Sequence, residues 1–485
     1  MIKDLEAALG YKFQNITLLQ NALTHSSYAN ERWHNSLLSN ERLEFLGDSI
    51  LGMVVAEYLF TNFPDRPEGE LTRMRADMVC ETSLAAIAAR LNTEGGILVY
   101  NPLGFARGGN LTVNGATLEL TEKIPAFGWQ VIRPQKPESS VSVEGLVAEN
   151  VHYRMELDQA GRILSLLDKA AGREVFSAPG NAFTAYEDLP YRYDNWEISD
   201  YYREKPYALE EPAEITPVYD GSRAGFRVEK QYMDCRIIQH IWLYDQGRRV
   251  DFDNEIHWNR QHQVLKVAFP LDLHANEATY EIQYGHIRRP THQNTSWDVA
   301  KYEVCAHKWA DISENGYGVA LLNDCKYGHS AQGSTLELTV LKAGTYPQPA
   351  DLGVHVFSFS LLPHSGSLYD GDVIRQAYSI NQPLLGMAVA ANQGTAAERF
   401  SLVSCDRENV IVDTVKKAEA DDGMIVRLYE SFDMRCKATV TVAQGFRKVF
   451  LCDLMENVLE ELPFDGETVT LPVKNFEIIT LKFLA

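Results

Sequence analysis

The spacing of apolar residues divides the 485-residue chain near residues 92–96. Before that point apolar positions recur at helical intervals. "KDLEAALG" stops at Gly10, "ITLLQNALTH" follows, and "SNERLEFLGDSILGMVVAEYLFTNF" runs to Pro64. "ELTRMRADMVCETSLAAIAARLN" keeps the same period, so helices are predicted over 41–60 and 71–91. Beyond it the texture becomes alternating and punctuated by turns. "NVHYRMELDQAGRILSLLDKAAGREV" predicts two strands joined by a D-Q-A-G turn, and "CRIIQHIWLYDQGRRVDFDNEIHW" repeats that logic with Gly247 in the turn. "TVTLPVKNFEIITLKFLA" predicts a closing strand pair, and residues 186–212 read as a loop between two sheet systems. The predicted fold is multidomain: a short all-α N-terminal segment followed by mainly antiparallel β-sandwich domains. Its expected divisions are 1–92, 96–200, 201–385 and 386–485.

Composition narrows the function classes. With 45% hydrophobic and 23% charged residues the chain reads as globular rather than disordered. A net charge of −21 argues against a general nucleic-acid surface, because phosphate contacts need clustered Lys and Arg. The seven cysteines are scattered and odd in number, with no C-x-x-C pair, which points to a reducing compartment and a cytoplasmic protein. The longest apolar run, "ILGMVVAEYLF", contains Glu57 and is too short to span a bilayer, so no membrane partner is expected.

Chemistry concentrates first in "NERLEFLGDS". Glu41, Glu44 and Asp48 stand at i, i+3 and i+7, which places three carboxylates on one helix face. Spacing alone describes a solvated acidic face. Such a stripe also suits Mg2+, a hard cation that prefers carboxylate oxygens and serves phosphodiester hydrolysis.

The wording adds to the spacing. With its flanks "LGYKFQNITLLQNALTHSSYAN" and "FPDRPEGELTRMRADMV", the stretch resembles the N-terminal half of the ribonuclease III endonuclease domain, over residues 1–92. That resemblance implies catalytic roles at Glu41, Glu44, Asp48 and Glu68, with Glu44 and Asp48 as metal ligands for Mg2+. The family's second acidic helix has no counterpart in "LTVNGATLELTEKIPAFGW", so double-stranded RNA is an unfavoured partner. A Mg2+-dependent duplex-RNA endonuclease using the partial site is the alternative reading.

A second resemblance covers residues from about 96 to 485. "VYNPLGFAR" (99–107), "VDFDNEIHWNRQHQVLKVAFPLDL" (250–273), "TYEIQYGHIRRPTHQNTSWDVAKYEV" (279–304), "AHKWADISENGYGVALLNDCKYGHS" (306–330), "FSFSLLPH" (357–364) and "VKKAEADDGMIVRLYE" (415–430) resemble the C-terminal β-sandwich region of glycoside hydrolase family 38 α-mannosidases. This implies a hydrolase-derived protein concerned with mannosides or glycans. The family uses zinc with a carboxylate nucleophile and acid, yet none of the 13 histidines lies in an H-x-D pair, the family's zinc-binding motif. Zinc is therefore expected for the family while its ligands are absent here.

Candidate carbohydrate contacts lie in three stretches: Asp194 and Trp196 in "YDNW"; Arg289, His292 and Asn294 in "RPTHQN"; Asn323, Asp324, Lys326 and Tyr327 in "NDCKYG". Aromatic faces beside amides and carboxylates suit sugar rings; the same residues also serve to hold loops. His286 and His292 beside Arg288 and Arg289 make a poor metal pair, since positive charge surrounds them and no third ligand follows. The abrupt switch reads as a chimera, a fusion of two truncated segments. It predicts cleavage near 92–98, and self-association through apolar faces of helices 41–60 and 71–91 left uncovered.

Overall fold

A computed structural model describes residues 84, 85, 87–134 and 139–485. The chain divides into units at Met1–Ser83 and Leu84–Ala485, and the fold below is that of the second. The helix expected over 41–60, with Glu41, Glu44, Asp48 and Glu68, lies outside the described residues.

The second unit is antiparallel β throughout its major sheets. Its centre is a nine-stranded sheet facing a six-stranded one. The chain passes repeatedly between them: Val250–Trp258 belongs to the larger sheet, Gln263–Pro270 to the smaller, Tyr317–Asn323 to the larger and Thr335–Ala343 to the smaller. Phe252 and Phe359 of the larger sheet meet Phe269 of the smaller with ring centroids 5.9 and 6.0 Å apart. These rings sit in one buried apolar cluster with Trp258, Leu265, Val267 and Leu338.

Local pattern accounts for individual strands. In Tyr153–Leu157, Tyr153, Met155 and Leu157 are buried while Arg154 and Glu156 are half-exposed, as a period of two requires. Its partner Ile163–Asp168 follows the D-Q-A-G turn, where Gly161 takes a φ of 72°. The Asp158 carboxylate accepts hydrogen bonds from the Ala160 and Arg162 amides, both at 2.9 Å. Tyr317–Asn323 shows no alternation because it is covered on both faces. Its second face meets the helix Val373–Asn381, whose Val373, Ile374, Ala377 and Tyr378 pack with Trp309, Leu322 and Leu362.

The predicted terminal strand pair is corrected. Thr468–Val473 and Ile478–Leu484 are both strands, but they do not pair with each other. The first joins a three-stranded sheet beside Cys436–Val442, the second a five-stranded sheet between Met424–Glu430 and Lys448–Cys452. Each presents apolar residues to a common core containing Val469, Leu471, Val473, Leu481 and Phe483. A crossover that fills a sandwich from both sides buries more apolar surface than a hairpin in one sheet.

The composition shift falls among short strands: Asn92–Thr93 pairs with Asn392–Gln393, and Gly96–Asn101 runs inside a four-stranded sheet. Leu84, Leu91, Leu98 and Val131 are buried together, so the β unit covers the described end of the helix expected over 71–91. Among the described residues no helix is long and apolar enough to cross a membrane.

Candidate functional site

The connection after strand Ala182–Glu187 leaves the six-stranded sheet, forms a 3-10 turn at Asp200–Glu204 and a short strand at Pro206–Ala208, then enters the nine-stranded sheet at Glu214–Asp220. It links the two sheets of the central sandwich. Its foot is held by a buried ionic cluster. Lys266 is 1% exposed, and its ammonium donates to Tyr202 Oη at 3.1 Å and Ser330 Oγ at 3.0 Å. Two carboxylates balance the charge: Glu303, and Glu337 at 3.2 Å. Arg203 also pairs with Glu337. Burial alone would raise the Glu337 carboxyl, but Lys266 and Arg203 prevail and bring it down to about 2.

The tip behaves oppositely. Tyr191 is 89% and Trp196 71% exposed. The Trp196 indole stacks on Tyr193 at 5.3 Å between centroids and 23° between planes, and Tyr193 leans on Tyr346 at 5.5 Å. Tyr193 adopts a φ of 56°, a left-handed conformation that costs a bulky residue about 1–3 kcal/mol unless its surroundings enforce it.

Asp194 supplies that enforcement. It is 7% exposed, and its carboxylate accepts from the Thr345 amide at 2.7 Å, the Thr345 hydroxyl at 2.9 Å and the Tyr346 amide at 2.6 Å. Burial opposes ionisation, but these donors outweigh it and lower the carboxyl below its ordinary value. Lys342 ties to the Asp194 carbonyl and pairs with Asp188 at 2.6 Å. Asp194 thus spends its oxygens holding the platform, while Trp196 forms its face. Around them, Asn195 Oδ1 and Asp188 Oδ1 are buried without a hydrogen-bond partner in the protein, and His262 Nδ1 stands 3.4 Å from Asp194 Oδ2.

The remaining candidates sit in separate networks. Arg289 lies 4.9 Å from the Tyr280 ring centroid. His292 faces Asp298 at 3.7 Å and accepts weakly from the Asn294 amide at 3.5 Å. It lines an open, polar cleft of about 440 Å3 with His274, Asn276, Glu277 and Ser313. Asn323 is fully buried; its side chain donates to the His307 carbonyl and accepts from the Lys326 amide, both at 2.8 Å, so it closes a turn. Asp324 accepts from the Ser358 amide at 3.0 Å, Lys326 lies 4.7 Å from the Phe357 ring centroid, and the exposed Tyr327 meets His307 edge-on at 5.0 Å. Trp196 and Tyr327 are therefore the candidates that offer open ring faces.

His286 and His292 do not converge. His286 is enclosed by Trp309, Tyr369 and Phe476, with the Tyr369 hydroxyl 3.1 Å from its Nε2. Among the described residues no group of three or more His, Cys, Asp or Glu side chains could hold a metal ion, so the donors there do not fit zinc. Tyr193 and Tyr346 were not singled out from the sequence. The alternation in "YRYDNW" carried a signal for Tyr193; Tyr346 arrives from 150 residues away and carried none.

Comparisons with known proteins fall on both halves. The family described as "Glycosyl hydrolases family 38 C-terminal domain" matches residues 148–350, and "Glycosyl hydrolases family 38 C-terminal beta sandwich domain" matches 409–481. "Ribonuclease-III-like" matches 15–118, running past the join into residues that are strands in the structure. Human alpha-mannosidase 2C1 is 35% identical over 445 residues, covering 87% of this chain and 42% of that protein. Ribonuclease 3 of Clostridium tetani is 57% identical over 90 residues, covering 19% of this chain and 37% of that protein. An alpha-mannosidase structure from Enterococcus faecalis V583 superimposes with a TM-score of 0.69 at 13% identity, covering 86% of this chain and 59% of that one. The class is thus a multidomain, mainly antiparallel β-sandwich protein. More particularly, the chain is a chimera: its long β part resembles the C-terminal region of family 38 α-mannosidases, and its N-terminal segment resembles ribonuclease III. It spans less than half the length of these curated relatives.

Proposed function

We propose that the β unit is a glycan-handling region of the α-mannosidase type, which binds mannosides on the Tyr193–Trp196–Tyr346 platform and does not supply a complete hydrolytic site of its own. The observation that carries this reading is the indole of Trp196, left 71% exposed on a loop whose backbone strain is held by Asp194. An open aromatic face binds the C–H face of a sugar ring. Incompleteness is supported by the lack of an H-x-D pair and by the donor set, which does not fit zinc among the described residues. A cytoplasmic setting rests on the scattered cysteines.

The test is release of p-nitrophenol from p-nitrophenyl α-mannoside by the purified chain, with and without chelator. No release above buffer is expected; turnover that chelation abolishes would overturn the reading. The ribonuclease resemblance, strong over its short span, favours a second reading. That reading requires Mg2+-dependent cutting of long duplex RNA, removed by Glu44→Ala or Asp48→Ala, and intact RNA after incubation would sink it.

A further inference from the structure

The residues around the join contain a device that neither family match assigns. Leu84, Ala85, Ile87 and Ala88 are helical, and the last turn tightens, with Arg90 N bonding Ile87 O at 2.9 Å and Leu91 N bonding Ala88 O at 3.2 Å. A helix end leaves its final carbonyls without intrahelical donors, and when buried these need other partners. One loop supplies them. Asn392 Nδ2 donates to Ala88 O at 3.4 Å and Ala89 O at 3.2 Å. The Ala396 amide donates to Arg90 O and the Gly394 amide to Leu91 O, both at 2.8 Å.

The fit is close. A Cβ on Gly394 would stand 2.0 Å from Arg90 O and 2.6 Å from Leu91 O, both rigid backbone atoms, so this loop position admits only glycine. Below it, Leu84, Leu91, Leu98 and Val131 are buried together, with Ile87, Ala88, Tyr100, Trp129, Met387 and Val389 packed around them. On the far side Glu398 accepts from Thr93 and Arg133, fastening the next residues to the same loop. The polar contacts reach helix backbone, and the apolar ones need Leu84, Ile87 and Leu91. Ala85, Ala89 and Arg90 point to solvent.

We infer that the 390–398 loop and the adjoining face of the four-stranded sheet form a receptor for the C-terminal end of a helix, filled here by Leu84–Leu91 of the chain's own ribonuclease-like segment. Recognition is through carbonyl groups and an apolar triad, not through a particular sequence. The join is then a folded part of the β unit, and the two resemblances overlap in one structure. This inference is independent of the glycan reading.

Hydrogen exchange read by mass spectrometry on the full chain tests it. Amides of 90–96 and 392–398 are expected to be protected to within tenfold of those in Gly96–Asn101, and trypsin should cut after Arg90 no faster than within the central sandwich. Gly394→Val and Leu91→Asp should each lose at least tenfold protection at 90–96. A chain carrying Ala85→Glu, Ala89→Gln and Arg90→Lys together should keep it. Fast exchange across 90–96 in the unaltered chain would overturn the inference, whatever the variants do; so would loss of protection in the triple variant equal to that in Gly394→Val.

Discussion

Two neighbouring parts of one connection are treated in opposite ways. At 200–204 the chain buries Tyr202 almost completely and locks Arg203 into an ionic cluster; at 191–196 it leaves Tyr191 and Trp196 in solvent. Their composition is similar, aromatic interleaved with charge. The difference lies in what the six-stranded sheet offers each. Beneath Tyr202 stand Lys266, Ser330 and Glu337, a set of donors and acceptors that is satisfied only when the turn docks. Beneath Trp196 stands one anchoring carboxylate, which fixes the backbone and leaves the rings free. Exposure at the tip is thus organised by the fold, not a failure of packing.

Each side of this contrast can be broken separately. Lys266→Met should have the largest effect, destabilising the β unit by about 3–5 kcal/mol in denaturant unfolding, because Glu303 loses its buried cation and Glu337 keeps only Arg203. Acid probes the same cluster more gently. The Glu337 carboxyl is held at about 2 in the folded chain against an ordinary 4.5, so the unfolded chain takes up the proton first as pH falls. The stabilisation should be complete above about 4.5 and disappear progressively towards about 2, read as a falling melting temperature. Glu337→Gln should flatten that slope.

At the tip the effects shrink in stability and grow in specificity. Asp194→Ala removes three hydrogen bonds to a buried carboxylate and should cost about 1–3 kcal/mol, with release of the Tyr193 backbone from its left-handed conformation. NMR shifts at Tyr346 would report that release; an unchanged tip would show that contacts other than those of Asp194 hold the platform. Trp196→Ala should change stability by less than about 0.5 kcal/mol, since the indole is largely solvated.

Much of this architecture is legible in residue order. Alternation and turn residues reveal the strands 153–157, 163–168, 235–244 and 250–258, because their pairing is local and each face has one environment. The terminal strands mislead for a physical reason: "TLPVKNFEIITL" has hairpin spacing, yet its two strands face each other across a core. The join is non-local too. Its wording changes at 92, while the covering of Leu84 and Leu91 depends on a loop 300 residues further on. For the platform, Trp196 stands out in the sequence, but the role of Asp194 depends on Thr345 and Tyr346, and no local pattern announces that partnership.

We propose that the anchored, solvent-facing aromatic platform lets this β unit bind mannosides. Titration calorimetry of the full chain with an α-linked mannose oligosaccharide addresses it directly, comparing the unaltered chain with Trp196→Ala. Saturable binding is expected that weakens at least tenfold in the variant, about 1.4 kcal/mol, with unchanged stability. Equal affinity in the two chains, or no saturable binding to the unaltered one, would contradict it.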